Sequence, residues 1–306
     1  MKLHKKLFCL LFCSMMLTGC SQNTPEEMPD IDTLRQNSET TAETGTELET
    51  EPATEQSVPT EIYYLTDHGT QDSENLTKFR TQLEADGFLW NEGTISTIPA
   101  EDSILILNAP QEDITQEEFQ MLKDYKQAGG DMLILLPASE SETRYKFLNN
   151  LLETYCIQLD YDKITETDNF RIKDDAIRLN YIAQPDRMTA YEESMLDSPV
   201  YMQNMRSFHL LGDYATDEMF VDVMLQTAET AIGEPFGGVE DDPLTYENQK
   251  LDILVYSLDT IQNNTCAVVC GASDFLLDEN FEKDTSHIAQ EWIYSSLQWF
   301  TTYSSY

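Results

Sequence analysis

The chain predicts an α/β fold, an open and mostly parallel sheet with helices on both faces. Three observations predict it. Ser103–Leu107 and Met132–Leu136 are short apolar runs without alternation, as strands covered on both faces would be. Between them, Thr115-Gln116-Glu117-Glu118 fits a capping box, Phe119, Met121, Leu122, Tyr125 and Ala128 keep helical spacing, and Gly129-Gly130 ends the helix. Strand, helix and strand within about thirty residues make a βαβ unit, whose strands are parallel and whose crossover is right-handed. The third observation is that strand-like and helix-like pieces also alternate on either side of this unit.

In order along the chain, Ser21 to Thr60 is rich in Glu, Thr, Ser and Pro and nearly devoid of large apolar residues. Such a segment cannot repay its conformational entropy by burial, so it is predicted to be a disordered acidic tether over residues 20–60. The folded domain is predicted at 61–306, long enough for one large core. Ile62–Thr66 is its first strand, and Asp67-His68-Gly69 turns. Ser73 to Ala85 places Leu76, Phe79 and Leu83 on one helical face, with Gly87 as the stop. Phe88–Trp90 and Thr94–Ile98 read as extended, and Pro99 leads into the βαβ unit. Arg144 to Tyr155 is a helix through Phe147, Leu148, Leu151 and Leu152, followed by a short strand at Cys156–Leu159. Thr165 to Gly212 reads as a partly antiparallel insertion, with strand-like Ala176–Ile182 and Pro199–Met202. Phe220–Thr227 and Leu251–Leu258 are strands, with a loop at Gly233–Pro243 between them. Gln262-Asn263-Asn264 turns into Thr265–Gly271. A last helix runs from Ser286 or His287 to Thr301, with Ile288, Trp292, Ile293, Leu297 and Phe300 as its buried stripe.

The N-terminus carries an address. Lys2, Lys5 and Lys6 precede an apolar Leu7–Leu17, too short to span a bilayer comfortably, which ends in Leu17-Thr18-Gly19-Cys20. This resembles a bacterial lipobox, with residues 1–19 as signal peptide. The resemblance implies lipid on Cys20 and a location on the extracytoplasmic face of a bacterial membrane. The formal net charge of −38 excludes a phosphate-binding surface, so no nucleic acid is expected as partner. Past the lipobox only Cys156, Cys266 and Cys270 remain, without a CxxC or a histidine pairing, and they read as small buried residues.

Candidate site residues are few. Asp67, His68, Asn108, Ser273 and Asp274 each follow a strand assigned to the parallel sheet, where a ligand crevice forms in such folds. Asp and Asn are equally ordinary turn residues. The acidic pairs Asp174-Asp175 and Asp241-Asp242 lack the spaced oxygens of a calcium loop, and Gly237-Gly238 has no helix start after it. No cofactor and no metal-ligand spacing is found.

Several pieces carry a family resemblance. Asp102–Ala138 resembles the signature of the ABC-type transport auxiliary domain of gliding-motility-type transporters. Phe147–Ile157, Val221–Thr227 with Ala228-Glu229-Thr230, and Ala267–Phe275 followed by a helix ending near Trp299 follow in the same order, so the likeness covers Glu61–Phe300. The chain departs from that family in having a lipid anchor in place of membrane helices, and Cys156 where the family has glycine. The resemblance implies a flavodoxin-like, glutamine-amidotransferase-like sheet that has lost its catalysis. After Leu136 the chain reads Pro137-Ala138-Ser139-Glu140, with no nucleophilic Cys. The expected function is therefore a non-enzymatic accessory of an ABC-type transport system, contacting a permease or ATPase complex or a small solute. The alternative is a free-standing solute- or glycan-binding lipoprotein. A third reading, a hydrolase, needs a nucleophile that the sequence does not show; loss of an activity on Ser273→Ala or His68→Ala would establish it.

Overall fold

A computed structural model describes residues 60–99, 103–138, 145–182, 195–211, 219–235, 245–260 and 265–303, all of which fall in one compact unit spanning 56–306. The signal peptide, Cys20, the tether, Gly237-Gly238, Asp241-Asp242 and the turn at 262–264 lie outside the described residues. No helix among the described residues is long and apolar enough to cross a membrane.

Fourteen strands are described. They are β1 (Glu61–Leu65), β2 (Leu89–Gly93), β3 (Ser103–Asn108), β4 (Asp131–Leu135), β5 (Ile157–Leu159), β6 (Asp162–Glu166), β7 (Ile172–Lys173), β8 (Ala176–Tyr181), β9 (Val200–Met202), β10 (Phe208–Leu210), β11 (Met219–Gln226), β12 (Ala231–Pro235), β13 (Asp252–Asp259) and β14 (Thr265–Cys270). The described α-helices are α1 (Thr77–Ala85), α2 (Gln116–Gln127), α3 (Lys146–Glu153) and α4 (Asp284–Tyr303).

Twelve strands form one sheet, whose main path is β2-β1-β3-β4-β14-β13-β11-β8-β7, with β10 against β13 and β5, and β9 against β8. A separate ribbon pairs β12 with β6. This corrects the predicted flavodoxin-like or amidotransferase-like, mostly parallel α/β fold. Only four pairings in the large sheet are parallel, β1–β2, β1–β3, β3–β4 and β4–β14. The other seven are antiparallel. The protein is strand-rich and mixed, with few helices. The physical reason lies in the connections. A parallel pair needs a crossover of a dozen or more residues, and the chain from β13 to β14 is far shorter, so the direction reverses there.

The two faces of the sheet build two cores. One joins Ile62, Tyr64, Ile104, Ile106, Leu133 and Val268 to Phe79 and Leu83 of α1 and Trp292, Ile293 and Leu297 of α4. The other joins Tyr63, Leu65, Leu105, Leu107, Ile134 and Val269 to Leu122 and Tyr125 of α2 and Leu148, Leu151 and Leu152 of α3. Successive residues of β1, β3 and β4 alternate between them, which is why these strands are apolar without a break.

Locally, three pieces differ from expectation. Thr94–Ile98 is not extended: Ile95–Thr97 is a single 3-10 turn, closed by reciprocal bonds of Thr94 and Thr97. The helix expected from Ser73 opens as a 3-10 turn to Leu76, with Asp72 accepting from the Glu74 N–H. The loop predicted from Gly233 is in part β12, where Gly233 lets Asp162 pack against its α-carbon with no room for a side chain.

Candidate functional site

The parallel strands β1, β3, β4 and β14 all end at one edge of the sheet. At the end of β1 the chain turns through His68 and Gly69, both left-handed, at φ 58° and 64°. The His68 carbonyl accepts from the N–H groups of Gln111 and Glu112, at 2.8 and 3.1 Å, which ties this turn to the segment after β3. Asp67 Oδ2 accepts from the Ile95 N–H at 2.8 Å. From the other side, α2 arrives with its capping box. Thr115 N–H donates to Glu118 Oε2 at 2.8 Å, and Glu118 N–H donates to Thr115 Oγ1 at 3.2 Å. The cap thereby fixes the Glu118 carboxylate beside the β1 turn.

The result is a cluster of three. His68 Nε2 lies 3.1 Å from Glu118 Oε2 and 3.8 Å from Asp67 Oδ2, with side-chain exposures of 11%, 21% and 17% for His68, Glu118 and Asp67. One ligand-type atom from each lies within 4.8 Å of the others. Burial pushes the Glu118 carboxyl up, but the two Thr115 bonds and the neighbouring imidazole outweigh it and hold it below the usual value. Asp67 Oδ1 and His68 Nε2 are buried and make no hydrogen bond.

The five residues singled out from the sequence divide in the structure. Asp67 and His68 come together, joined by Glu118. Asn108 is buried at the end of β3, on the Ile104 and Ile106 side, with its side chain by the Tyr64 hydroxyl. Ser273 and Asp274 follow β14, three places from β1 in the sheet, about 14 Å at ordinary strand spacing. There Asp274 is hydrogen-bonded to Asn204, its carbonyl accepts from Asn280 Nδ2 at 2.8 Å, and burial raises its carboxyl above the ordinary range.

A second polar cluster carries no sequence signal beyond D-x-D at Asp160 and Asp162 and S-x-H at Ser207 and His209. Pairing of β5 with β10 places these facing one another. Ser207 Oγ reaches Asp160 Oδ2 at 3.0 Å and Asp162 Oδ2 at 2.8 Å, and the Ser207 N–H donates to Asp162 Oδ1 at 2.8 Å. The His209 ring nitrogens meet Asp160 Oδ1 at 2.8 Å and Gln158 Oε1 at 3.0 Å. Both ring nitrogens are thus engaged away from the Ser207 hydroxyl, and serine and histidine do not form a nucleophile–base pair. Burial raises the thiols of Cys266 and Cys270, the latter to about 12, so neither is an activated nucleophile.

The mixed sheet, strand-rich and with helices at its parallel end, defines the architectural class. Within that class the structure shares its fold with the N-terminal domain of mouse IFT52, at a TM-score of 0.59 and 16% identity, over 79% of this chain and 98% of that one. The sequence also matches the family model of the IFT52 GIFT domain over residues 75–174, about a third of the chain. A putative ThuA-like protein from Bacteroides uniformis aligns at a TM-score of 0.43 and 13% identity, over 78% of this chain and 91% of that one. The exo-beta-1,4-mannosidase Op5Man5 from an Opitutaceae bacterium aligns at 0.39 and 12%, over 81% and 35%. No curated protein matches in sequence.

These findings overturn the resemblance to ABC-type transport auxiliary proteins. Its main carriers, Asp102–Ala138 and Phe147–Ile157, lie inside the stretch matched by the IFT52 GIFT domain. The accessory role in an ABC system, the permease or ATPase partner and the classing as a transport lipoprotein are corrected with it, and the solute- or glycan-binding alternative is unsupported.

Proposed function

We propose that this chain is a non-enzymatic interaction domain of the IFT52 GIFT type, built to dock a partner protein. The observation that carries this reading is Phe170, which stands 96% exposed on a 3-10 turn capped by Asp168. Beside it, Ile172 is 37% exposed on β7, the last strand in the path of the sheet. An aromatic residue exposed to water beside the last described strand of the sheet is the kind of anchor that partner surfaces bury. The likeness to IFT52, a component of intraflagellar transport, supports a role in assembly over one in chemistry. The location that Lys2–Cys20 implies, the extracytoplasmic face of a bacterial membrane, belongs to the same proposal.

A photo-crosslinker at Lys173 in the full chain, irradiated in its native cells, tests it. One discrete protein adduct, lost on Phe170→Ser while the melting temperature holds, is the expected result. No adduct above that from a crosslinker at Arg80, or an adduct indifferent to Phe170→Ser, overturns the reading.

A further inference from the structure

We propose that Asp67, His68 and Glu118 bind a divalent transition-metal ion, zinc by donor type, which clips the end of β1 to the start of α2. Geometry is the first support. A tetrahedral ion with bonds of about 2.1 Å needs its ligand atoms about 3.4 Å apart. The contacts of 3.1 and 3.8 Å bracket that value, and the third edge does not exceed 4.8 Å. The ion closes the trio with sub-ångström movement and leaves a fourth position open for water or a partner's side chain.

Unpartnered atoms are the second support. His68 Nε2 lies 3.1 Å from Glu118 Oε2 but does not meet the geometry of a hydrogen bond with it. It makes none with Asp67 either, and Asp67 Oδ1 is likewise buried without a partner. Asp67 thus keeps one buried oxygen without a partner in a cluster whose ligand-type atoms all lie within 4.8 Å of one another, close enough for one cation to bond all three residues.

Charge is the third. Two carboxylates, each about four-fifths buried, meet one imidazole, and every ion pair described for either of them is with His68. Burial of such a pair is costly without a cation. One nitrogen with two oxygens suits zinc and its neighbours, whereas calcium and magnesium take oxygen-only sets of six or more. The site joins residues some fifty positions apart, so no ligand spacing marks it in the sequence.

The test is calorimetric titration of the full chain, stripped with chelator, with zinc chloride in a magnesium background that occupies the acidic surface. One equivalent is expected to bind, and zinc at about a hundredfold over its dissociation constant raises the melting temperature by about 5–10 °C. Glu118→Gln keeps the capping box, since glutamine also serves there. His68→Asn keeps the left-handed backbone, which asparagine tolerates. Each is expected to weaken zinc at least about tenfold while the metal-free melting temperature changes little. If His68→Asn fails to fold, Glu118→Gln carries the test. Unchanged zinc affinity in Glu118→Gln, no binding by the parent chain, or binding lost instead on His287→Ala at the exposed His287–Glu291 pair overturns the proposal.

Discussion

Replacing Asp162 by asparagine should stabilise this protein at neutral pH, although it removes a buried, hydrogen-bonded carboxylate. Asp162 opens β6 and is 1% exposed. Desolvation is the largest influence and pushes its carboxyl up from 3.8 to about 6, with Asp160 adding to the rise. The bonds from the Ser207 N–H and hydroxyl, each 2.8 Å, and the Arg206 guanidinium pull it back only in part. The folded protein therefore holds this proton more tightly than the unfolded chain does. As pH rises through about 6 the folded state keeps paying for an ionised buried carboxylate, whereas below 3.8 both states are protonated and nothing is lost. At 1.36 kcal/mol per pH unit the gap corresponds to about 3 kcal/mol above pH 6. Asparagine has the same shape, accepts from the Ser207 N–H and donates to the Ser207 oxygen, but carries no charge. It gives up the attraction to Arg206, so about 1–2 kcal/mol of gain is expected at pH 8, read as a rise of about 2–8 °C in melting temperature. At pH 4 the gain should vanish. Thermal melts of parent and variant from pH 4 to 8 measure this, and the difference between them isolates the one group. A variant destabilised equally at every pH would refute the reasoning, because it would mean that Asp162 is ionised throughout and held by Arg206.

Four further outcomes follow from the packing. Lys126 is buried at the end of α2, 3.1 Å from Asp259, with its ammonium donating to the Thr154 carbonyl at 2.5 Å and lying over the Tyr155 ring. Lys126→Met should cost about 3–5 kcal/mol in urea melts, and adding Asp259→Leu should return part of it. Arg80→Ala breaks an exposed i,i+4 pair with Glu84 and should cost under about 0.5 kcal/mol by the same measurement. Gly130→Ala puts a methyl inside the Tyr125 ring, whose hydroxyl bonds the Ser103 carbonyl, so a loss of about 1–3 kcal/mol is expected. Thr115→Ala removes the α2 cap for about 1 kcal/mol and, if the cap is what aims Glu118, weakens zinc binding in the calorimeter as well.

Local structure was legible where the signal lies within a few residues. Thr115 and Glu118 announce the start of α2, and the reciprocal bonds are present. Leu148, Leu151 and Leu152 mark the buried stripe of α3. Thr94–Ile98 misled because β-branched residues favour strands, while the hydroxyls of Thr94 and Thr97 closed a turn instead. In the candidate site, Asp67 and His68 stand out because they follow a strand of the parallel set. Glu118 stands out only as a cap, and its approach to His68 depends on how α2 packs back over the sheet. Asp160, Asp162, Ser207 and His209 need the β5–β10 register, which no local pattern supplies. Strand direction is the deepest loss, because a residue buried on both faces is apolar whichever way its neighbour runs.

That loss explains why the family resemblance went astray. The pieces that carried it, around β3, α2, β4 and β14, belong to the parallel half. They are buried on both faces, and any fold with a βαβ unit at its centre needs such strings there. They constrain composition strongly and identity weakly. The distinguishing half begins at β14, where Val268 pairs with Leu133 in parallel on one side and with Tyr256 in antiparallel on the other. Beyond that seam lie β13, β11, β8 and β7, the buried carboxylates of Asp160 and Asp162, and the exposed Phe170. A fold that changes direction in mid-sheet also divides its edges. The parallel side gathers strand ends, and with them Asp67, His68 and Glu118, as parallel sheets do. Among the described residues the antiparallel side ends in the short strand β7, beside the exposed Phe170.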